Sequence, residues 1–300
     1  MKPPLLLLLS ISILLEALLF SVTGNNVGAY SPIDDIAVNC GSPCNSSESN
    51  WTWIGDAEDG STYSPADEIH SSINANASRS SPSFHNLIPY HIARLSRSEF
   101  IYTFRDTAGP RFVRLHFFPS DYLDFRRANS FFSVKAPGNT LIRNFSASLF
   151  SDHTSFTSFH KEFCLTVGAD QILNVTFAPT PGNPEAYAFV NGIEVVSMPK
   201  HLNYNTVVDS TEGIKLAGYK TLHNFSTADA FEVVKHLNVR GQFVGLADDA
   251  GMCRTWEVDE SYVTSSNIGL LPVSTTVPLN YGEQVPNYTA PDSVYRTART

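Results

Sequence analysis

Between Arg111 and Phe118 the side chains alternate: Val113, Leu115 and Phe117 fall on one face, Arg114, His116 and Phe118 on the other. A period of two is that of a β-strand with one face in a core. Glu99 to Phe104 alternates weakly. Ser130 to Val134, Thr140 to Phe145, Phe163 to Val167 and Ile172 to Phe177 are strand-length runs rich in aromatic and β-branched residues. Glycine and proline separate them at Ala108-Gly109-Pro110, at Pro137-Gly138-Asn139 and between Pro179 and Pro184. Many short strands punctuated in this way predict an all-β domain, a sandwich or jelly roll.

The pattern extends in both directions. Upstream, Ile36 to Gly41 reads as a short strand, and Trp51-Thr52-Trp53-Ile54 precedes an acidic turn from Gly55 to Gly60. Residues 60–83, rich in Ser, Asn and Ala, read as a long exposed loop. Downstream, Tyr187, Phe189, Ile193 and Val195 keep period two around Asn191-Gly192, which predicts a hairpin with a tight turn closed off by Pro199. One stretch predicts a helix. Ser226-Thr227-Ala228-Asp229 has capping-box spacing, and Phe231, Val234 and Leu237 then share one helical face. A further strand is the alternative there.

The landmarks recur in order. Asn39-Cys40-Gly41 leads to Trp53 and Asp56, then to Tyr90 and Arg94; Asn238-Val239-Arg240-Gly241 leads to Trp256 and Asp259, then to Tyr295 and Arg299. The interval from Trp53 to Arg94 is 41 residues, and that from Trp256 to Arg299 is 43. Near-equal spacing of an ordered set predicts two copies of one fold. The boundaries expected are a first domain at 31–200, a linker at 201–214 and a second copy at 215–300. The second copy ends before any counterpart of the 186–199 strands, so it is expected to be incomplete.

Composition narrows the setting. The chain has 300 residues, 42% hydrophobic, 12% aromatic and 16% charged, with net charge −9. Without a basic patch to neutralise phosphates, a nucleic-acid partner is excluded. Lys2 precedes an apolar run from Leu5 to Phe20, followed by the small-residue site Val27-Gly28-Ala29. That run falls short of the roughly 20 residues a spanning helix needs, so residues 1–29 read as a secretory signal peptide. Seven sequons, at Asn45, Asn50, Asn76, Asn144, Asn174, Asn224 and Asn287, predict a glycosylated exterior. Of four cysteines, Cys40 and Cys44 are close enough to bridge, an open alternative to free thiols; Cys164 and Cys253 read as unpaired.

Candidate chemistry is sparse. Asp34-Asp35, Glu58-Asp59, Asp67-Glu68 and Asp248-Asp249 are adjacent acids. Glycoside hydrolysis needs two carboxylates facing each other across a bond, which adjacent loop residues do not show. No nucleophile elbow, zinc-binding helix motif, phosphate loop or kinase catalytic loop is present, so no catalytic residue, metal site or cofactor is expected. Phe118, Tyr122 and Phe125, beside Asp121 and Asp124, are a candidate sugar platform, because a sugar ring has an apolar face and hydroxyl edges. The alternative is that these rings pack the rim of the sandwich.

Asn39-Cys40-Gly41, Tyr90-x-x-Ala93-Arg94, Phe112 to Pro119, Asn144-Phe145-Ser146, Lys161-Glu162-Phe163 and the 186–199 stretch together resemble the plant malectin-like receptor ectodomains of the FERONIA type. Leu237-Asn238-Val239, Arg254-Thr255-Trp256 and Tyr295 to Arg299 are the matching motifs of the second copy. Cys253 departs from the family, which usually has an aromatic there, and no membrane span or kinase domain follows. The resemblance implies the extracellular part of a receptor-like kinase at the plasma membrane. It would sense RALF peptides, together with LORELEI-type GPI-anchored co-receptors, or cell-wall pectin. It also implies that the sugar-contacting aromatics of animal malectin are generally not kept. A secreted, kinase-less lectin or decoy is the second reading, and a carbohydrate-active enzyme the third.

Overall fold

The alternating stretches all become strands in the computed structural model of the chain. It describes residues 29–48, 51–57, 62–63, 65–66, 72–78, 88–199, 202, 214–215, 220, 222–223, 226, 228–264, 278–281 and 286–299. The expected signal peptide, apart from Ala29, lies outside these residues. So do Asn50, Asn224, Glu58-Asp59, Asp67-Glu68 and most of the expected linker. In chain order the strands are β1 (Asp35–Asn39), β2 (Ser46–Glu48), β3 (Trp51–Gly55), β4 (Ile73–Asn76), β5 (Ile92–Ser96), β6 (Phe100–Arg105), β7 (Gly109–Phe117), β8 (Phe131–Ala136) and β9 (Asn139–Ser146). Helix α1 (Ala147–Thr154) follows, then β10 (Phe159–Val167), β11 (Ile172–Pro179), β12 (Ala188–Val190) and β13 (Gly192–Ser197). Beyond them come β14 (Ile214–Lys215), β15 (Leu222–His223), β16 (Phe231–Val233), β17 (Leu237–Asn238), β18 (Glu257–Val258) and helix α2 (Asp292–Tyr295).

A seven-stranded sheet ordered β16-β10-β7-β13-β1-β3-β2 forms with a four-stranded sheet, β6-β11-β8-β9, and a three-stranded one, β12-β5-β4. Val113, Leu115 and Phe117 of β7 are fully buried, as the alternation required. They join one aromatic core with Phe132 and Phe189, each ring 5.7 Å from Phe117. Each fully buried phenylalanine contributes about 1.5–3 kcal/mol. The opposite face of β7 is buried too, because residues from 228–264 cover it. Phe112, Cys164, Val196, Met198, Leu202 and Met252 form a second cluster there, with Tyr30, Phe231 and Val233 packed against it.

Two expectations are corrected. The 186–199 stretch is not a hairpin. β12 pairs with β5, while β13 enters the large sheet between β1 and β7, so the chain changes sheets at Asn191. Neither Asn191 nor Gly192 takes a left-handed backbone. Gly192 is needed for close approach instead: a Cβ there would lie 2.4 Å from Pro89 Cγ and 2.9 Å from Trp53 Cζ3.

The predicted helix after Ser226 is a strand. The cap itself forms, with Ser226 N–H donating to Asp229 Oδ2 at 2.7 Å and Ala228 N–H to Ser226 Oγ at 3.1 Å. The chain then pairs Phe231–Val233 with the open edge of β10, and Val234 is left 76% exposed. Tertiary pairing outweighs the local signal. The helix that does form early, α1, is capped by Ser146 and stopped by Ser155 at φ 62°.

Cys40 and Cys44 are both free thiols. Cys40 follows β1 inside the core, its Sγ 3.8 Å from Val38 O, whereas Cys44 is exposed on the turn before β2. The two side chains lie in different environments and form no bridge.

The recurring landmarks are also recurring geometry. β1 and β3 pair in parallel, Val38 with Ile54 and Asn39 with Gly55; β17 and β18 pair in parallel, Leu237 with Glu257 and Asn238 with Val258. Gly41 and Arg240 both adopt left-handed backbone, at φ 92° and 59°. Their N–H groups donate to Asp56 at 2.5 Å and to Asp259 at 2.9 Å. Arg94 and Arg299 grip those same carboxylates.

Candidate ligand-binding rim

β7 ends at Phe117, and the chain passes along the rim before β8. Phe118 N–H donates to Asn191 Oδ1 at 2.6 Å. Tyr122 Oη–H donates to Phe118 O at 2.7 Å and accepts from Asn191 Nδ2 at 3.0 Å. Asn191 Nδ2 also donates to Ile92 O at 2.8 Å, and its backbone bonds His116 O at 3.0 Å and Cys40 N at 2.9 Å. The amide side chain therefore fastens the rim loop to β5, and the backbone of the same residue bonds β7, at the point where the chain changes sheets. Burial pushes the Tyr122 phenol well above its ordinary range.

The platform residues divide into two groups. Phe118, Tyr122 and Phe125 are 1%, 0% and 7% exposed, so the rings face inward and offer a sugar no open face. Phe125 packs edge-on against Tyr187 at 5.0 Å, and the Arg97 guanidinium covers its other side at 4.7 Å. Beyond Arg97 lies an open groove of about 540 Å³, lined by Glu99, Thr180, Asn183 and Pro184 among others. Asp121 Oδ1 accepts from Arg127 N at 2.7 Å and closes the loop. Asp124 is exposed, next to Leu123, which is 67% exposed. Sequence reasoning passed over Leu123. The available signal was an apolar residue between Tyr122 and Asp124 in a loop.

Behind β7, ionic contacts take up most of the remaining polar groups. Arg114 donates through Nε to Glu162 at 2.5 Å, through Nη1 to Glu194 at 2.8 Å and through Nη2 to Met252 O at 2.8 Å. His116 bridges Glu194 at 2.7 Å and Tyr90 at 2.9 Å, and His236 meets Glu162 at 2.9 Å. Burial alone would raise both carboxylates, but Arg114 and the histidine contacts more than offset it and hold each at about 2. The adjacent acids near the sequence ends also serve arginines: Asp34 pairs with Arg111 at 3.0 Å and Asp249 with Arg254 at 3.0 Å. Among the described residues no group of three His, Cys, Asp or Glu is placed to hold a metal ion. Nor is any helix among them long and apolar enough to cross a membrane.

The sequon asparagines at 45, 76, 144 and 174 are exposed, and Asn287 is half-buried. Asn144 and Asn174 accept through Oδ1 from Thr180 and Thr103, both at 2.8 Å. Both belong to the four-stranded sheet.

A strand-rich sandwich of this order invites comparison with known proteins. Residues 38–300 match the model of the malectin-like domain. The chain belongs to the malectin-like family. FERONIA, a receptor-like protein kinase of Arabidopsis thaliana, is 35% identical over 295 residues, covering 97% of this chain and 32% of that protein. The crystal structure of the plant receptor-like kinase FER matches with a TM-score of 0.74 at 34% identity, over 89% of this chain and 65% of that one. A second match, TM-score 0.74 at 35% identity over 90% of this chain and 66% of the other, is FER in a complex of the plant peptide RALF23 with FER and LLG2. The chain thus spans about a third of the curated relative and just under two thirds of the solved chains. Among the further matches are the extracellular domains of ANXUR1 and ANXUR2 from Arabidopsis thaliana, which indicates an extracellular location.

Proposed function

We propose that this malectin-like chain is a ligand-binding extracellular region of a plant receptor-like kinase, and that it binds a RALF peptide together with a LORELEI-type co-receptor. The observation that supports this is the likeness, across nine tenths of the chain, to FER in its complex with RALF23 and LLG2. The charge is compatible: a net −9 favours association with a cationic peptide.

The remaining readings belong to the same proposal. Residues 1–29 are a signal peptide, and the exposed sequons carry N-glycans. Residues 215–300 belong to a second unit of the same plan as 31–200. The support for that unit is the repeated parallel pair with its left-handed residue, aspartate and arginine.

Biolayer interferometry with the purified glycoprotein tests the reading. The chain should bind RALF23 in the presence of LLG2. No binding to RALF23 with LLG2, while pectin fragments bind, would overturn the peptide reading in favour of a wall polysaccharide.

A further inference from the structure

Among the described residues, Tyr30 is the first that the fold grips. Its N–H donates to Ala250 O at 2.9 Å, and its ring tilts against Tyr288, 5.7 Å between centroids. Ala29 before it is exposed. Ser197, 1% exposed at the end of β13, takes up the residues that follow. Its Oγ accepts from Ile33 N at 2.7 Å and from Asp34 N at 3.2 Å, which uses both lone pairs. The hydroxyl proton is then left for Tyr30 Oη, 3.3 Å away. Ser197 N donates in turn to Asp34 O at 2.9 Å.

The seat fits this residue closely. Gly251 takes φ 100°, and a Cβ there would lie 1.9 Å from Tyr30 O and 2.8 Å from Tyr30 N. The turn that carries Gly251 is itself fixed. Asp249 accepts from Met252 N at 3.3 Å and pairs with the buried Arg254 at 3.0 Å. Arg254 Nη1 also donates to Thr289 O at 3.0 Å, beside Tyr288. Tyr30 packs on the cluster that holds Met252, Val196 and Met198. Residues 30–34 therefore form a strap from β13 to the 249–252 turn. Its far end is the residue that follows Val27-Gly28-Ala29.

We infer that the 249–252 turn is a binding site for the amino terminus that cleavage after Ala29 creates, with the Tyr30 ammonium seated on Ala250 O. Removal of the leader then completes the joint between the 228–264 segment and the first sheet. The inference rests on the signal-peptide reading above. Hydrolysis of the Ala29–Tyr30 bond consumes a water, with a peptidase of the secretory pathway as catalyst. Ala29 leaves as a carboxylate, and the Tyr30 nitrogen becomes an ammonium whose ordinary pKa is about 8. In the uncleaved chain the same nitrogen is an uncharged amide. The ammonium keeps the hydrogen bond to Ala250 O and makes it charge-assisted, about twice as strong as a neutral one. Gly251 and Tyr288 fix the Tyr30 backbone, so only a terminus at Tyr30 fits. A longer one places an amide at Ala250 O, and a shorter one loses the bond.

The full chain, secreted with its own leader, tests this. N-terminal sequencing should read Tyr30 as the first residue. Insertion of Gly-Ser between Ala29 and Tyr30 keeps the small-residue site but returns the Tyr30 nitrogen to an amide. Backbone amides of 249–252 should then exchange with solvent about fivefold faster than in wild type. That difference should shrink above about pH 8, as the wild-type amine loses its charge. Gly251→Ala should speed the same exchange further, because its methyl group meets Tyr30 O. A mature terminus at any residue other than Tyr30 would overturn the inference while leaving the leader reading intact. A secreted chain that still begins at Met1 would remove the reading on which it rests. Unchanged exchange in the Gly-Ser variant would overturn the inference as well. So would a difference independent of pH, since the added residues would then act by bulk and not by removing a charge.

Discussion

Arg114 and Met252 lie 138 residues apart in sequence, yet the arginine's Nη2 donates to the methionine's carbonyl at 2.8 Å. The other two arms of the guanidinium hold Glu162 and Glu194. One buried cation therefore links β10, β7 and β13 to the segment lying across them. Removing it leaves two buried carboxylates uncompensated, a loss of about 3–5 kcal/mol for a broken buried pair. Arg114→Ala should lower the unfolding free energy by that amount, measured as the fall in urea midpoint multiplied by the m-value. Arg114→Lys should recover only part of it, because an ammonium cannot present the guanidinium's fork. Equal stability of Arg114→Lys and wild type would show that charge alone matters here.

The same pair of glutamates sets an acid limit. Their folded-state values, about 2, lie below the ordinary 4.5. A depressed carboxylate contributes stability that is fully present above its unfolded pKa and is lost as pH falls through the folded one. Unfolding free energy should therefore fall between about pH 4.5 and pH 2. Glu194→Gln should be less stable at neutral pH and show a shallower fall in that window, measured by urea titration at successive pH values. A slope unchanged by Glu194→Gln would assign the acid sensitivity to other carboxylates.

What could be read in advance follows from the range of the forces involved. β7 was legible because a strand with a buried face writes period two into the chain, as Val113, Leu115 and Phe117 show. Asn191-Gly192 was misread because the glycine answers to Pro89 and Trp53, which are distant in sequence, and not to a local turn. Ser226 to Asp229 carries a true capping signal, but the unpaired edge of β10 decides the outcome for Phe231. At the rim, composition identified the loop without its orientation. An aromatic residue reads alike whether it faces in or out, and no sequence signal announces the left-handed backbone of Leu123.

Asn191 offers a test of what the sheet crossing requires. Its side chain accepts from Phe118 N and donates to Ile92 O and Tyr122 Oη. Asn191→Asp is nearly isosteric but has no donor for the last two, and would set a carboxylate against the Ile92 carbonyl. A buried group left unsatisfied costs about 1–3 kcal/mol, more when charged. Asn191→Asp should therefore destabilise at least as much as Asn191→Ala, and the rim loop should lose hydrogen-exchange protection at Phe118. If Asn191→Asp matched wild type in both measurements, the amide would not be what fastens the rim.

The two aspartate nodes should differ in consequence although they share a plan. Asp56 is fully buried and accepts from Gly41 N, Arg94 and Tyr102. Asp259 accepts from Arg240 N and from Arg299, whose side chain is 18% exposed to water. Around Asp56, Val38 and Cys40 are fully buried and β1 is paired on its second edge by β13. Around Asp259, Val239 and Val258 are 40% and 39% exposed, and β17 pairs only with β18 among the described residues. Fewer buried contacts mean a lower local opening energy. Amides of β17 and β18 should exchange faster than those of β1 and β3 in the wild-type chain. Asp56→Asn should lower global stability and accelerate exchange throughout β1, β7 and β13, because an unpaired Arg94 would be left in the core. Asp259→Asn should accelerate exchange within 237–259 and leave β7 protected. Equal protection of the two strand pairs, or a loss of β7 protection in Asp259→Asn, would mean that the second node is as deeply coupled to the core as the first.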